Sequence, residues 1–484
     1  MVDIKNLKKI EEYLYEIPKS FKPEMIVPAR IYATGKMLQD IGDDRSLSQL
    51  TNVATLPGIK KYSIAMPDIH EGYGFPIGGV AGLDYKTGVV SPGGVGYDIN
   101  CGMRLLRSKI MAADLQKHLR TVAHQISRDV PSGVGRGGEL ELSPKELDQI
   151  LNKGVKRMVE LGYGEKVDLE NIEENGSMPG ADANKVSDRA KKRGHDQVGT
   201  LGSGNHFLEI QKVDEIYDRN LADELGLVKD LVVIMIHTGS RGLGHQVCTD
   251  YVKKLIPKLD EWGFDLPDRE LACAPINSQE GKDYLAAMAA AANFAWSNRQ
   301  MIMHTVRQAW KRILEPIGMD VKLDLIYDVA HNMAKIEEHE VDGKRTKVCV
   351  HRKGATRAFG PGREELNELY KRIGQPVLIP GTMGTCSYVL VGTKEAEEQS
   401  FGTVCHGAGR RMSRSAAKKK ITGAEVRKSL ESHGIMVECA SSKGLAEEAP
   451  LAYKDVNDVV DVVVQAKLAK KVVKLKPIAV IKGG

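Results

Sequence analysis

The sequence predicts an α/β fold for this chain of 484 residues. Short apolar runs that close on glycine-rich turns are typical of buried strands, and the clearest is LVVIMI at residues 231–236. Long amphipathic stretches are typical of helices, and the longest covers residues 283–314. No internal repeat, low-complexity linker or sharp change in composition divides the chain. We therefore expect one large domain over residues 1–484.

Two helices are predicted in the first third of the chain. Residues 111–128 have an amphipathic pattern, and so do residues 143–161. Ser143 stands where the second helix would begin, and Glu146 follows three residues later. This spacing predicts a capping box, in which each side chain binds the backbone N–H of the other residue.

Two later helices carry basic side chains. Residues 184–195, NKVSDRAKKRGH, predict a basic helix that either is solvated or contacts RNA phosphates through Lys191, Lys192 and Arg193. In the long helix at residues 283–314, a stripe of aromatic and methionine side chains predicts packing in the core. Four basic residues are expected to form one flank of this helix: Arg299, Arg307, Lys311 and Arg312.

Composition excludes several classes of protein. Hydrophobic residues make up 42% of the chain and charged residues 27%, as in globular proteins that are dissolved in water. The net charge of +5 permits a nucleic-acid partner without requiring one. The seven cysteines are an odd number without a C-x-x-C pair, which disfavours a disulfide framework and favours a reducing cytoplasm. No apolar run approaches the ~18 residues of a membrane span, so no membrane partner is expected.

Six separated residues predict a metal site. In PGGVGYDINCGMR, a carboxylate and a thiol lie three residues apart among glycines, and this donor pair favours a transition metal. Four histidines follow in similar glycine- or asparagine-rich turns, and at least three of them stand where an apolar run ends. Ligands gather at strand ends in α/β proteins, so these residues can converge on one or two metal ions. The six residues are Asp98, Cys101, His206, His237, His331 and His406.

The glycine-rich turns also suggest phosphate binding. Successive backbone N–H groups in GSGNH, HTGSRG, PGTMGT and HGAGRR can hold phosphate oxygens. Arg241, Arg410 and Arg411 can add charge-assisted hydrogen bonds. The pattern GxxxxGK[ST] does not occur in the sequence, which disfavours a P-loop GTPase or ATPase.

The segments DINCGMR, GSGNHFLE, HTGSRG, AHN, PGTMGTCSY and CHGAGR, in this order, resemble the RtcB family of RNA-splicing ligases. The resemblance extends from about residue 62 to the C-terminal VIKGG, and residues 1–60 are less diagnostic. It implies an α/β fold in which strands feed a central metal and nucleotide cleft, unlike the lysine-dependent nucleic-acid ligases. The implied activity joins a 2′,3′-cyclic phosphate or 3′-phosphate RNA end to a 5′-hydroxyl end, in tRNA splicing or RNA repair. The resemblance further implies GTP and two Mn²⁺ as cofactors, tRNA as a substrate, and archease as an activating partner to consider.

The resemblance also implies residue roles. Metal ligands would be Asp98, Cys101, His206, His237 and His331, with Cys101 bridging two ions. His406 would be the nucleophile that carries GMP, and Asn205 would hold a phosphate group. The remaining nucleotide contacts would come from Glu209, Asn332, Pro380, Gly381, Thr382, Met383, Ser387, Gly407, Ala408, Gly409, Tyr453 and Lys482. We add Arg241, Arg410 and the basic residues Lys191, Lys192 and Arg193 as RNA contacts.

Two rival functions remain open from the sequence. A metal-dependent RNA phosphodiesterase or phosphatase would use the same donors with metal-activated water and without ligation. A non-catalytic RNA-binding protein with a structural metal would be expected to use only cysteine and histidine in a closed zinc site. Asp98 and the surplus histidines argue against the second of these rivals.

Overall fold

The structure is a computed structural model that describes residues 2–41, 44–133, 135, 137–138, 140–439 and 441–483. Its strands are β1 (Lys8–Glu11), β2 (Leu14–Ile17), β3 (Ala29–Tyr32), β4 (Ile59–His70), β5 (Ile77–Asp84), β6 (Val89–Val90), β7 (Gly102–Met111), β8 (Phe207–Ile216), β9 (Leu231–Thr238), β10 (Ala274–Pro275), β11 (Asp324–Ala330), β12 (Asn332–Val341), β13 (Lys344–Lys353), β14 (Ala355–Arg357), β15 (Pro376–Pro380), β16 (Ser387–Gly392), β17 (Thr403–Cys405), β18 (Met436–Cys439) and β19 (Ala469–Lys482).

Helices lie between the strands along the chain. They are α1 (Gly35–Ile41), α2 (Ser46–Val53), α3 (Ala112–Leu115), α4 (Leu119–Asp129), α5 (Pro144–Lys153), α6 (Val155–Glu160), α7 (Lys166–Glu170), α8 (Asp188–Gly194), α9 (Arg219–Glu224), α10 (Arg241–Leu255), α11 (Gln279–Leu314), α12 (Glu368–Ile373), α13 (Lys394–Ser400), α14 (Arg414–Lys420), α15 (Gly423–Ser432), α16 (Ser442–Glu447) and α17 (Val456–Gln465). Within the described ranges, no helix combines the length and apolar character needed to cross a bilayer.

Two large sheets organise these elements, and the α/β prediction is confirmed. The first sheet has the strand order β1-β2-β3-β4-β5-β13-β12, and the second has the order β11-β7-β9-β8-β19-β16-β15, with β18 beside β19. Neighbouring strands are antiparallel except for the β3–β4 and β18–β19 pairs. The chain passes directly from the second sheet to the first at His331, between β11 and β12.

The second sheet is buried on both faces. Along β9, Ile234 and Ile236 face a core that includes Phe294 and Trp296 of α11. The intervening Met235 faces a separate core that includes Leu378 of β15, because the sheet curls and brings β15 close to β7 and β11. Side chains of a strand alternate between faces, so a strand covered on both sides is apolar throughout. This explains the continuous run LVVIMI, which was correctly predicted as a strand.

Two of the predicted helices are not continuous in the structure. The stretch predicted as one helix over residues 111–128 is the end of β7 followed by α3 and α4. The stretch predicted over residues 143–161 is broken at Gly154, where φ is +60° and an added Cβ would collide with the Gly176 carbonyl. Ser143 caps α5 as predicted and accepts a hydrogen bond from the Glu146 N–H. The prediction that Glu146 in return accepts the Ser143 N–H is wrong. The Glu146 carboxylate pairs with Arg157 instead, whose Nε lies 2.7 Å from Glu146 Oε1.

Helix α11 confirms the predicted long helix and its buried aromatic and methionine stripe. The prediction that Arg299 belongs to a basic flank of this helix is wrong. Its side chain is fully buried, and its Nη2 lies 2.8 Å from Asp328 Oδ1. Arg104 is also fully buried, and its Nε lies 2.7 Å from Asp328 Oδ2. Burial acts to raise the pKa of Asp328, but the two guanidinium groups outweigh it and hold that pKa below its usual value.

Removing the charge of Asp328 tests the importance of this buried cluster. Asp328→Asn leaves two guanidinium groups buried without a counter-charge, so we expect the free energy of unfolding to fall by about 3–5 kcal/mol. Denaturant titration followed by the fluorescence of the buried Trp296 and Trp310 measures the loss. Asp129→Asn is the matched control, because Asp129 pairs with the exposed Arg312 and its loss should cost less than about 1 kcal/mol. Equal small losses in both variants would contradict the expectation.

Candidate metal and nucleotide site

Four adjacent strands bring the predicted metal-binding residues to one edge of the second sheet. Cys101 directly precedes β7, and His206 directly precedes β8. His237 is the penultimate residue of β9, and His331 directly follows β11. In the antiparallel order β11-β7-β9-β8, the start of one strand lies beside the end of its neighbour. The register shows this: Gly102 pairs with both Thr238 and Ala330, and Phe207 pairs with His237.

The donor atoms of these residues converge. Cys101 Sγ lies 3.3 Å from His237 Nε2 and 3.5 Å from His206 Nε2. His206 Nε2 lies 2.9 Å from Asp98 Oδ2, and His237 Nε2 lies 3.2 Å from His331 Nε2. Two groups of three donors result, each with its ligand atoms within 4.8 Å of one another, and Cys101 belongs to both. The groups are Cys101 with His237 and His331, and Asp98 with Cys101 and His206.

Burial shapes the electrostatics of these donors. It lowers the pKa of His237 and of His331 well below the usual value, with repulsion from neighbouring histidines as a further cause. Both imidazoles are therefore neutral at physiological pH and offer lone pairs. Burial also raises the pKa of the Cys101 thiol, and the Asp98 carboxylate adds to this shift. A thiolate at this position requires a compensating positive charge.

Asp98 carries a negative charge at the centre of the site. Burial acts to raise its pKa, but the hydrogen bond with His206 and the charge of Arg241 outweigh burial and hold the pKa below its ordinary value. The Ser240 N–H donates to Asp98 Oδ1 at 2.9 Å. A carboxylate, a thiol and three neutral imidazoles that face one another form a donor set suited to transition metals.

His406 lies beside this donor set on the other side of His331. It directly follows β17, which pairs with β14, and the Ala355 N–H of β14 donates to the His331 carbonyl at 3.1 Å. The ring centroids of His331 and His406 are 5.1 Å apart. Thus His237, His331 and His406 stand at the ends of apolar strands as predicted, whereas His206 stands at the start of one.

Asp68 of β4 holds His406 and was not identified from the sequence. Its Oδ2 lies 2.5 Å from His406 Nδ1 and accepts the His406 backbone N–H at 3.0 Å. The Asp68 side chain is fully buried. A carboxylate can only accept, so the His406 proton resides on Nδ1 and the lone pair on Nε2. The signal in the sequence was an aspartate inside the apolar run IAMPDIH, which a buried strand contains only when the carboxylate has a partner.

A cavity of about 420 Å³ joins these groups to the residues predicted to contact the nucleotide. Predicted site residues that line it are Asp98, Cys101, Asn205, Glu209, His237, His331, Asn332, Pro380, Gly381, Thr382, Met383, His406, Gly407, Ala408, Gly409, Arg410, Tyr453 and Lys482. Sequence reasoning missed other lining residues, among them Tyr73, Tyr97, Lys353, Arg414 and Glu448. Apart from Tyr97, these residues lie outside the predicted motifs, and no local pattern in the sequence indicated that they would meet at one cavity.

Two predicted nucleotide contacts are engaged with the protein itself. Ser387 is buried behind Glu209, and one amide group, Gln211 Nε2, donates to both Ser387 Oγ and Glu209 Oε2. Asn332 lines the cavity, but its side chain ties two loops together. Its Nδ2 donates to the Asp98 carbonyl at 3.0 Å, and its Oδ1 accepts the Gly354 N–H at 2.7 Å.

The far wall of the cavity contains buried ionisable groups. Burial raises the pKa of Glu209 to about 7. Burial lowers the pKa of Lys482, whose Nζ donates to the His206 carbonyl at 3.1 Å. Arg410 pairs with Glu448 at 3.0 Å and donates to the Tyr453 hydroxyl at 3.0 Å. These groups offer both charged donors and a carboxylate acceptor to a ligand.

The predicted RNA contacts are divided between two places. Arg241 lies at the site, where its Nη1 is 3.0 Å from His206 Nδ1. Helix α8 contributes no lining residue to the cavity. Within α8, Lys191 pairs with Asp148 at 2.7 Å and Arg193 donates to Gln246 at 3.0 Å, whereas Lys192 is exposed.

Helix α11 fixes the loops that carry the site residues. Asn298 Oδ1 accepts the backbone N–H groups of Gly199 and Thr200 at 2.8 and 3.0 Å. Its Nδ2 donates to the carbonyls of Thr200 and Gly239, each at 3.1 Å. One buried amide therefore connects the loop before His206 with the loop after His237, and it does so without touching the cavity.

Arg299 provides the second tie from α11. Its Nη1 donates to the carbonyls of Asn100 and Thr238, each at 2.8 Å, while its other nitrogens bind Asp328 of β11. Three segments that carry Cys101, His237 and His331 are thus fixed to one guanidinium group. No sequence pattern singled out Asn298, and Arg299 was assigned only to a basic flank, because each lies inside a helical pattern.

Comparison with known proteins identifies the family of this chain. The family model described as tRNA-splicing ligase RtcB matches residues 49–483. The tRNA-splicing ligase RtcB of Archaeoglobus fulgidus is 54% identical over 477 residues, which cover 99% of each chain. That of Pyrobaculum aerophilum is 53% identical over 480 residues, again with 99% of each chain covered. The RNA-splicing ligase RtcB of Mycobacterium tuberculosis is 50% identical over 438 residues, which cover 90% of this chain and 100% of that protein. The chain therefore belongs to the tRNA-splicing ligase RtcB family.

Proposed function

We propose that this chain is an RNA ligase of tRNA splicing or RNA repair. It joins a 3′-phosphate or 2′,3′-cyclic phosphate end to a 5′-hydroxyl end through GMP carried on His406. The observation that carries the proposal is the setting of His406: Asp68 fixes its Nδ1–H, and its ring lies 5.1 Å from that of His331 in a cavity with Asp98 and Cys101. A nucleophilic nitrogen thus lies beside a metal-type donor set.

Two metal ions fit the donors of this site. Cys101, His237 and His331 would hold one ion, and Asp98, Cys101 and His206 would hold the other, with Cys101 shared. When bound, such ions neutralise negative charge on phosphate oxygens during transfer. Carboxylate, thiolate and imidazole ligands suit manganese, zinc, cobalt or iron better than magnesium, and the family resemblance favours Mn²⁺.

His406 serves as the first nucleophile. Its Nε2 attacks the α-phosphorus of GTP, the bond to the bridging oxygen breaks, and pyrophosphate leaves. The imidazole becomes positively charged in this step, and the Asp68 carboxylate at Nδ1 stabilises that charge and keeps Nε2 directed into the cavity. The pairing of a carboxylate with a catalytic imidazole resembles the use of aspartate in serine hydrolases.

Transfer to RNA then activates a poor electrophile. A 3′-phosphate repels nucleophiles and has no good leaving group. An oxygen of that phosphate attacks the phosphorus on His406, the P–N bond breaks, and the imidazole recovers its lone pair. The 5′-hydroxyl oxygen then attacks the RNA phosphorus, loses its proton and expels GMP. A cyclic end must first be hydrolysed to the 3′-phosphate, and we assign this hydrolysis to the same site.

The nucleotide is proposed to bind on the side of Glu209 and Lys482. Glu209 as a carboxylate can accept from the N1–H and 2-amino groups of guanine, while Lys482 and Tyr453 can contact the base or ribose. Asn205 and the backbone of Gly407, Ala408 and Gly409 would hold phosphate oxygens. Pro380, Gly381, Thr382 and Met383 would line the pocket, and Asn332 and Ser387 would support it from behind.

RNA contacts are proposed for Arg241 and Arg410 near the cavity. The α8 residues Lys191, Lys192 and Arg193 form a second candidate surface, which lies outside the cavity. A tRNA substrate, assistance by archease and a cytoplasmic location are parts of the same proposal that follow from the family resemblance.

A metal-dependent phosphodiesterase or phosphatase is the rival function. It would need the metal donors but neither His406 held by Asp68 nor the part of the cavity lined by Glu209 and Lys482. Consumption of GTP with release of pyrophosphate distinguishes the two functions, because hydrolysis by activated water uses no GTP.

Covalent labelling tests the role of His406. Incubation with α-labelled GTP and Mn²⁺ should label the wild-type chain, and His406→Ala should abolish the label because Nε2 is lost. Asp68→Asn should slow labelling by about 100-fold or more, since the orienting charge is lost. The matched control is His433→Ala, which removes an exposed histidine outside the cavity. Labelling that persists in His406→Ala would overturn the assignment.

Replacing the shared thiol tests the metal centre. Cys101→Ala should abolish both hydrolysis of a cyclic end and joining, and equilibrium dialysis should show a loss of bound Mn²⁺ relative to wild type. Cys273→Ala is the matched control, because Cys273 is equally buried but lies outside the cavity. Survival of cyclic-end hydrolysis in Cys101→Ala would demonstrate a separate hydrolytic site.

The raised pKa of Glu209 predicts a pH dependence for GTP use. Burial raises the pKa of Glu209 to about 7, so below that pH the side chain is neutral, and its protonated oxygen can no longer accept from guanine. We therefore expect kcat/KM for GTP in self-labelling to fall as the pH drops below 7. The limiting slope is about tenfold per pH unit for one proton. Glu209→Gln should lower kcat/KM at pH 8 and flatten the profile between pH 6 and 8. An unchanged slope in that variant would assign the pH dependence to another group.

A further inference from the structure

Three aromatic rings lie near Asp98 and have no role in the chemistry described above. Tyr73 and Tyr97 line the cavity, and their ring centroids are 5.4 Å apart at an interplanar angle of 57°. His245 of α10 stacks on Tyr97, with a centroid distance of 4.7 Å and an angle of 23°. Both tyrosines are partly exposed and His245 is exposed, in contrast to core rings such as Phe75 and Tyr284, which are fully buried.

Two basic residues lie near these rings, and so does the Glu270 carboxylate. Lys353, a buried residue that also lines the cavity, donates from Nζ to the Tyr73 carbonyl, and its Nζ lies 6.0 Å from the centre of the Tyr73 ring. Arg241 stands one helical turn before His245 on α10. Tyr97 directly precedes Asp98 in the chain, so the rings adjoin the Asp98, Cys101 and His206 donor group.

Aromatic rings beside cations at the edge of a cavity are features of sites that bind single-stranded nucleic acid. Every base has a π face that can stack on tyrosine, and neighbouring cations attract the backbone phosphates. The cavity surfaces of Tyr73 and Tyr97 are available for such a contact. His245 is not a lining residue, and it supports Tyr97 from the outer side.

We propose that Tyr73 and Tyr97 form a stacking platform for the unpaired terminal base of an RNA end, with His245 as a positioning residue that holds the Tyr97 ring. The platform would orient the end nucleotide so that its phosphate or hydroxyl group reaches the donors beside Asp98. This inference deepens the proposed function and depends on it for the identity of the ligand. The stacked base belongs either to the 3′-phosphate end or to the 5′-hydroxyl end.

Fluorescence of 2-aminopurine in RNA tests the platform directly. One RNA carries the fluorophore at the 3′-phosphate terminal nucleotide, a second at the 5′-hydroxyl terminal nucleotide, and a third at an internal position five nucleotides from either end. Stacking quenches 2-aminopurine, so binding to the wild-type holoenzyme should quench one terminal probe more strongly than the internal probe. The terminal probe that is quenched identifies the end that occupies the platform.

Variants separate stacking from folding. Tyr73→Ala and Tyr97→Ala should each weaken RNA binding by about 5- to 30-fold and remove the terminal quenching, in line with the usual loss of one base stack. Tyr97→Phe retains the ring and should bind as wild type does. His245→Ala should reduce the quenching partially, and His245→Phe should restore it, because a positioning ring needs only its flat surface.

Self-labelling with GTP is measured on every variant. The expected result is a normal GMP adduct in the alanine variants together with a raised KM for RNA in joining. Loss of labelling in parallel with RNA binding would overturn the platform, because the rings would then serve the nucleotide or the integrity of the site. Equal quenching of terminal and internal probes would overturn it as well. Failure of the wild type to form a GMP adduct is a different result, which contradicts the proposed function rather than the stacking geometry.

Discussion

The salt bridges of Arg104 and Arg299 with Asp328 constrain the rest of this structure. All three side chains are fully buried, so each charge depends on the others to offset the cost of leaving water. Arg299 also binds the carbonyls of Asn100 and Thr238, which precede β7 and end β9. A single ionic cluster therefore determines both the packing of α11 against the second sheet and the relative positions of the segments that carry Cys101, His237 and His331.

Convergence of the site follows from strand register rather than from any long-range motif. Once β7, β8, β9 and β11 pair as antiparallel neighbours, the residues at their starts and ends must meet at one edge. The functional side chains then need only short loops to face one another, and Asn298 fixes two of these loops through their backbones. Rigid support of this kind limits the reorganisation that binding and transfer require.

The sequence was sufficient for the fold class, the apolar strand β9, the helix α11 and many of the residues that line the cavity. It was not sufficient for the breaks in the helices, since Gly154 ends α5 through a close backbone approach that involves a distant segment. Arg299 was misassigned for a related reason: its partner Asp328 lies 29 residues further along the chain, and no local pattern reveals such a pair. Asp68 was overlooked because the apolar run around it was interpreted only as a strand. Tyr97 was overlooked because the segment around it was interpreted only as a metal motif.

One residue joins the two large sheets. His331 is the only residue between β11 of the second sheet and β12 of the first, and the Asn332 side chain that follows it ties the Asp98 loop to Gly354. An insertion or deletion here would shift one of the two ladders by a residue and turn its side chains to the opposite face. The length of the AHN segment is therefore set by the geometry of both sheets as well as by chemistry. Substitutions in the AHN segment can change its chemistry, but a change in its length would disrupt the core against one of the two sheets.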